Sequence, residues 1–228
     1  MTSYYFILQI CTNVNTIMLI IYSLFCLFLF KSKSKVLKIV AFYLVFSCFL
    51  DIINTLVGIY LIPNVISDMW FLSIIYRLGE LAIIGYLINS NWLKNKFMFI
   101  VILLSSLYLI YDLFTYRLNG IFNYTANAQI VANTVLLVML LVNLIKQLKS
   151  MNMFNLTHQM LNMIFLSYFS IHLVFTVISN FIINQSYSNN SFIMLYCGYA
   201  ILHIVYYSGL AFVLYKNYKN SDLVKKSL

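Results

Sequence analysis

One proline, six glycines and five acidic residues are all that 228 residues offer to break a helix, bend a loop or carry negative charge. Only 8% of the residues are charged while 63% are hydrophobic, which excludes a water-exposed globular surface. The four cysteines, Cys11, Cys26, Cys48 and Cys197, form no Cys-x-x-Cys pair and lie within or at the flanks of apolar runs, so no disulfide framework is expected. The three histidines, His158, His172 and His203, stand on separate segments and make no His-x-x-His-His cluster of the kind membrane metal enzymes use. A Gly-x-Ser-x-Gly elbow and a phosphate-binding Gly-rich loop are missing as well. No metal or cofactor is therefore expected.

What the chain does have is long apolar stretches. Seven of them, at 4–30, 39–61, 68–90, 97–118, 127–149, 159–184 and 192–218, take up about three quarters of the sequence. Each matches the roughly 20 helical residues that cross a hydrocarbon core. Barrel strands would alternate in segments of about ten residues, whereas these runs are continuous, and a helix satisfies its own backbone in lipid. The expected fold is all-α: one polytopic seven-helix transmembrane domain over 1–228. Within these residues no room is left for a soluble module. The first run has no basic residue before it and no small-residue cleavage pattern before Lys31, so it reads as a retained helix. Pro63 falls in a loop, which predicts unbroken helices.

Charge gives the chain a direction. All twelve lysines sit at alternate junctions, at 31 to 38, 94 to 96, 146 to 149 and 216 to 226, and the intervening junctions near Pro63, Asn119 and Asn189 hold none. The positive-inside rule then puts the N-terminus outside and the C-terminus in the cytoplasm of a cell membrane, plasma or inner. The net charge of +9 is split into short clusters, not gathered on one face, which argues against nucleic acid. The lysines read as anchors to anionic headgroups of the lipid bilayer, and the Lys-rich inner loops with a short basic tail at 219–228 are the surfaces on which a cytoplasmic or membrane partner protein could dock.

The first and last three helices also overlay with a shift of 120 to 123 residues. Gln9 and Asn13 fall on Gln129 and Asn133, Asp51 falls near His172, and Glu80 falls on His203. This suggests a 3+1+3 parallel pseudo-repeat with helix four as the linker.

Ionisable side chains at bilayer depth are costly, so each one inside a span is a candidate for function. Asp51, Arg77, Glu80 and Asp112 qualify. Counting 1.5 Å per residue brings Asp51, Glu80, His172 and His203 to roughly 20 Å from the membrane ends, near the midplane, with Arg77 and Asp112 in the outer half. Helical spacing puts Ser47, Asp51, Asn54 and Gly58 on one face of helix two, and Ser105, Tyr108, Asp112 and Thr115 on one face of helix four. Tyr168, His172, Thr176 and Ser179 share a face of helix six, and Tyr196, Tyr199, His203 and Tyr206 one of helix seven. Facing lipid, these groups would be unpartnered, so the stripes are expected to converge on a polar interior. The candidate ligand- or proton-binding set is Asp51, Asn54, Arg77, Glu80, Asp112, His172, Tyr199, His203 and Tyr206. One arginine cannot neutralise three acids, and the surplus acid beside two histidines points to proton- or ligand-linked work; a plain Arg77–Glu80 packing pair is the competing reading. His158, at a lysine-bearing junction, is expected to be an interface residue.

Seven helices with an outside N-terminus resemble, in topology alone, retinal proteins, G-protein-coupled receptors and the 3+1+3 sugar transporters. No lysine sits mid-helix seven to hold retinal, helix three ends in Asn89-Ser90-Asn91-Trp92 in place of Asp-Arg-Tyr, and the Asn-Pro-x-x-Tyr and Pro-Gln motifs are absent. Three readings follow. The leading one is a receptor or sensor-like protein binding a small molecule or proton and acting through a partner; the others are a proton-coupled small-solute carrier and an intramembrane enzyme for a lipid-soluble substrate. The orientation is tested with single cysteines: Asn189→Cys should react with an impermeant maleimide in intact cells, and Lys96→Cys only after permeabilisation.

Overall fold

The computed structural model describes residues 2–29, 34–56, 70–119, 126–150, 156–184 and 189–226. These residues form seven helices and no strand: α1 (Thr2–Leu29), α2 (Lys35–Leu56), α3 (Trp70–Ile88), α4 (Lys96–Asn119), α5 (Asn127–Ser150), α6 (Leu156–Asn184) and α7 (Asn189–Lys226). All seven are long and apolar enough to cross a membrane. The protein is a multi-pass integral membrane protein.

The helices begin and end close to the expected places, with two differences. The expected end of helix two at 61, the start of helix three at 68 and Gly58 lie outside the described residues. α7 continues as helix past its apolar span to Lys226, so the described part of the basic tail is helical. No glycine or proline lies between 210 and 226 to stop it. The spans are unbroken, and α3 widens only at its lysine-bearing end, into a five-residue π-turn over Asn89–Leu93. That turn closes with the Lys94 amide donating to the Asn89 carbonyl at 2.6 Å, and Lys94 adopts a left-handed conformation (φ 51°). Asn95 then caps α4, its side-chain oxygen accepting from the Phe97 amide at 2.9 Å. The Lys146 ammonium on α5 donates to the Trp92 and Leu93 carbonyls, both at 3.2 Å, which completes the end of α3.

The helices form a ring in the order α1, α2, α3, α5, α6, α7 and back to α1, and α4 packs outside it against α3 and α5. Lipid-facing positions carry large apolar side chains such as Leu24, Phe49, Ile100, Phe114, Val174 and Phe212. Polar groups are turned inward, where Arg77, Glu80, Asn133, His172, Thr176 and Ser179 are all buried. This sorting follows from a solvent that offers no hydrogen bonds.

The α2–α3 contact is close because α3 presents Gly79 to Phe46, whose ring occupies the space a Cβ would fill. A branched side chain there must push the ring and the helices apart. Gly79→Ile should therefore destabilise the protein by about 1–3 kcal/mol. Gly79→Ala should cost less, because the Phe46 ring can swing; thermal unfolding of the purified protein in detergent checks this order.

Candidate functional site

Arg77 and Glu80 stand three residues apart on one face of α3, 5% and 0% exposed, and their side chains form a salt bridge. Nothing charged in water compensates either one. Each must be completed by neutral groups from other helices. Glu80 Oε1 accepts from the Tyr43 hydroxyl of α2 at 2.6 Å. The Tyr43 hydroxyl lies 2.9 Å from that of Tyr76, which lies 2.7 Å from that of Tyr207 on α7. On the other side, the second guanidinium nitrogen of Arg77 meets His172 Nε2 on α6.

That last contact settles the imidazole tautomer. Guanidinium only donates, so Nε2 accepts, and a neutral His172 carries its proton on Nδ1. The acceptor for Nδ1–H is Thr176 Oγ1 at 3.1 Å, and the amide nitrogen of Asn133 on α5 stands 2.9 Å from the same Nδ1. Asn133 Oδ1 has no other partner, so turning it toward His172 satisfies both groups. Thr176 Oγ1 in turn accepts from the Tyr199 hydroxyl at 3.3 Å, and Tyr199 lies 3.4 Å from Ser179 Oγ. One hydrogen-bonded chain thus runs from Ser179 and Tyr199 through His172, Arg77 and Glu80 to Tyr43, Tyr76 and Tyr207.

Aromatic rings wall this chain. Tyr168 and Tyr206 stack at 3.7 Å between centroids and 8° between planes. His203 lies among Tyr168, His172, Tyr199 and Tyr207, its ring nearly parallel to that of Tyr207 (14°, 5.9 Å). It is half-buried, and no hydrogen bond joins its nitrogens to another described residue. Besides Asn133 Oδ1, six buried polar atoms have no hydrogen-bond partner among the described residues: Asn15 Oδ1, Asn162 Nδ2 and, near the centre, Ser47 Oγ, Arg77 Nε, Tyr168 Oη and Tyr206 Oη. The last four belong to the same quarter of the bundle, with Tyr168 beside Arg77, Tyr206 beside Tyr43 and Ser47 beside Tyr207.

No family model, curated protein or solved structure matches the chain. Function is therefore read from the site and its chemistry.

Of the nine sequence candidates, Arg77, Glu80, His172, Tyr199, His203 and Tyr206 come together in this cluster. The other three are not part of its hydrogen-bonded chain. Asp51 stands at its edge, within electrostatic reach of Tyr207, while its carboxylate accepts from Thr16 Oγ1 of α1 at 2.6 Å and forms no ion pair among the described residues. Asn54, one turn further along α2, is exposed. Asp112 is half-buried on α4 and its carboxylate joins no described residue. The expectation that the helix-four stripe turns inward is corrected: α4 lies outside the ring, so Ser105 is buried against its neighbours while Tyr108 is 37% exposed. Asp112 lies roughly 10 Å from the end of α4, within reach of the interface.

The sequence reading passed over Tyr43, Tyr76, Tyr207 and Asn133. The signal was there for three of them, since Tyr43 precedes Ser47 by four residues, Tyr76 precedes Glu80 by four and Tyr207 follows His203 by four. Among the described residues no group of three His, Cys, Asp or Glu is placed so as to hold an ion.

His158 is held at the other end of the bundle. Its ring stacks on Trp92 at 4.1 Å, and its Nε2 accepts from the amides of Gln147 at 2.8 Å and Asn143 at 3.3 Å. Asn143 also donates to Asn162 Oδ1 at 2.9 Å. The π-turn of α3, α5 and α6 are tied together there, next to Lys146.

Removing one member of the central ion pair strands the other in lipid depth. Arg77→Met or Glu80→Gln should each destabilise the protein by about 3–5 kcal/mol. The double variant should unfold later on heating than either single variant, because it leaves no isolated charge; a double-mutant cycle on unfolding temperatures in detergent measures the coupling.

Proposed function

We propose that this protein is a receptor or sensor-like membrane protein whose response is set at the Arg77–Glu80–His172 centre by a proton or a small polar ligand. The observation that carries the reading is the single hydrogen-bonded chain linking ionisable groups of α3 and α6 to hydroxyls of α2 and α7. A network shared by five helices, α5 joining through Asn133, makes their relative positions depend on the protonation and hydrogen bonding of a few groups. Protonating His172 at Nε2 removes the acceptor of Arg77 and sets two cations side by side, so ring and guanidinium must part. A polar guest would act on the same element by engaging Arg77 Nε, the Tyr168 and Tyr206 hydroxyls and His203, whose hydrogen-bonding capacity is not used up. The change would pass along α3, α5 and α6 to the knot of Trp92, Lys146 and His158 at the lysine end, where a partner protein would read it.

A second reading, the proton-coupled carrier, draws on the helix order. Exchanging α1–α3 with α5–α7 leaves the ring unchanged, and Asp51 and His172, which overlay, each bond to the helix that precedes their own. Two matching halves about a central site are what rocking carriers use.

The test is hydrogen exchange of the intact protein in nanodiscs, read on α6 and α7 peptides from about pH 8 down to about pH 4, because a second proton on His172 must overcome the neighbouring guanidinium. The expected result is a pH-dependent change in exchange that His172→Gln abolishes, or a co-purified small molecule whose removal produces the same change. Exchange that is flat across this range, together with no bound molecule in native mass spectrometry, overturns the proposal. Proton flux that accompanies solute uptake in proteoliposomes would select the carrier.

A further inference from the structure

Away from this centre, α1 and α7 pack side by side along the seam that closes the ring. Each runs from the end opposite the lysines toward the lysine end, so the two are parallel. Their register is fixed by Tyr22 and Ser208, whose hydroxyls are 2.9 Å apart across 186 positions of sequence. Parallel helices rise equally, and 11 residues make about three turns, so a pair three turns away keeps the same offset and the same face. Counting back 11 from each member of that pair gives Cys11 and Cys197. The seam holds in the other direction too, where the Phe25 and Tyr215 rings meet at 6.2 Å.

The register thus places the two thiols at facing positions of the α1–α7 seam, and both cysteines are half-buried. They also share the end of the bundle away from the lysines, Cys11 seven residues into the apolar run 4–30 and Cys197 five residues into 192–218. That is roughly 10 and 8 Å from the ends of these runs, and the exposed Thr12 and Asn13 beside Cys11 give water and small polar oxidants a polar approach. Cys26 and Cys48 are buried in the apolar core and are shielded from both.

We propose that Cys11 and Cys197 are a redox modification site, closed to an intramolecular disulfide that staples α1 to α7. The oxidant is a small-molecule disulfide of the glutathione class. One cysteine thiolate attacks a sulfur of the oxidant, forming a mixed disulfide and releasing one thiol; the second cysteine attacks the protein sulfur of that mixed disulfide and releases the other. Two protein S–H bonds give one S–S bond, and two electrons and two protons leave on the two small thiols. Packed helices bring facing residues into the Cα range a disulfide needs without moving the backbone far. The bond would fix the α1–α7 seam and leave the α3–α5 seam, on the other side of the ring, free to work.

The experiment uses the full-length protein in membranes. After treatment with oxidised glutathione, free thiols are blocked with N-ethylmaleimide under denaturing conditions, disulfides are reduced, and the released thiols are labelled with a maleimide-polyethylene glycol. The expected result is a two-label shift, with mass spectrometry of the unreduced digest showing the Cys11 peptide joined to that of Cys197. A Cys26→Ser/Cys48→Ser variant should give the same shift, and Cys11→Ser should lose the joined peptide. No shift in the unaltered protein, or a bond joining Cys11 to another copy of the chain, overturns the proposal.

Discussion

A buried ion pair organises the structure. Arg77 and Glu80 share one face of α3 in a medium that neither solvates nor screens them, and an unpaired charge there would cost several kcal/mol. Everything near the pair can be read as its completion. Tyr43 supplies a donor to the carboxylate, His172 supplies an acceptor to the guanidinium, and Asn133 and Thr176 hold the imidazole in the tautomer that can accept. The completion draws on four helices besides α3 itself once Tyr207 is counted, which is why the pair specifies the bundle and does more than neutralise itself. Steering the helices through one polar centre also suits lipid, where apolar packing alone discriminates poorly between neighbours.

How much of this could be read beforehand depended on which physical signal was at work. The seven spans were legible because lipid demands length and apolarity, and both are visible in one dimension. Arg77, Glu80 and His172 were legible because burying them is expensive. The stripe Tyr168, His172, Thr176 and Ser179 turns inward along its whole length, as its spacing implies. Asn54 and Asp112 show the limit. A polar stripe says that a helix has a distinct face, but not whether that face meets the centre, a neighbour or the interface, and this is fixed by lateral order. Seven helices of similar length and apolarity give little hint of that order, so the outer position of α4 was not readable. Tyrosines hid in plain view, because with 19 of them a hydroxyl at four-residue spacing from a carboxylate draws little attention.

The bundle has two polar levels with different characters. The central one holds the charges and several buried groups whose hydrogen-bonding capacity is not used up. The level near the lysines is built of neutral amides, an indole stacked on an imidazole, and a lysine capping the end of α3. Both levels keep an unsatisfied polar atom, Asn162 Nδ2 in the second, but only the first holds charges, and charges in low dielectric make a network respond most to small perturbations.

The continuation of α7 to Lys226 has a mechanical side. From His203 to Lys226 is about 35 Å of continuous helix, so a rigid tilt of only about 10° at the aromatic cluster sweeps the far tip through about 6 Å. Rotations too small to disturb the packing around the imidazoles are thus magnified by leverage into displacements as large as a side chain, delivered where the helix emerges into water.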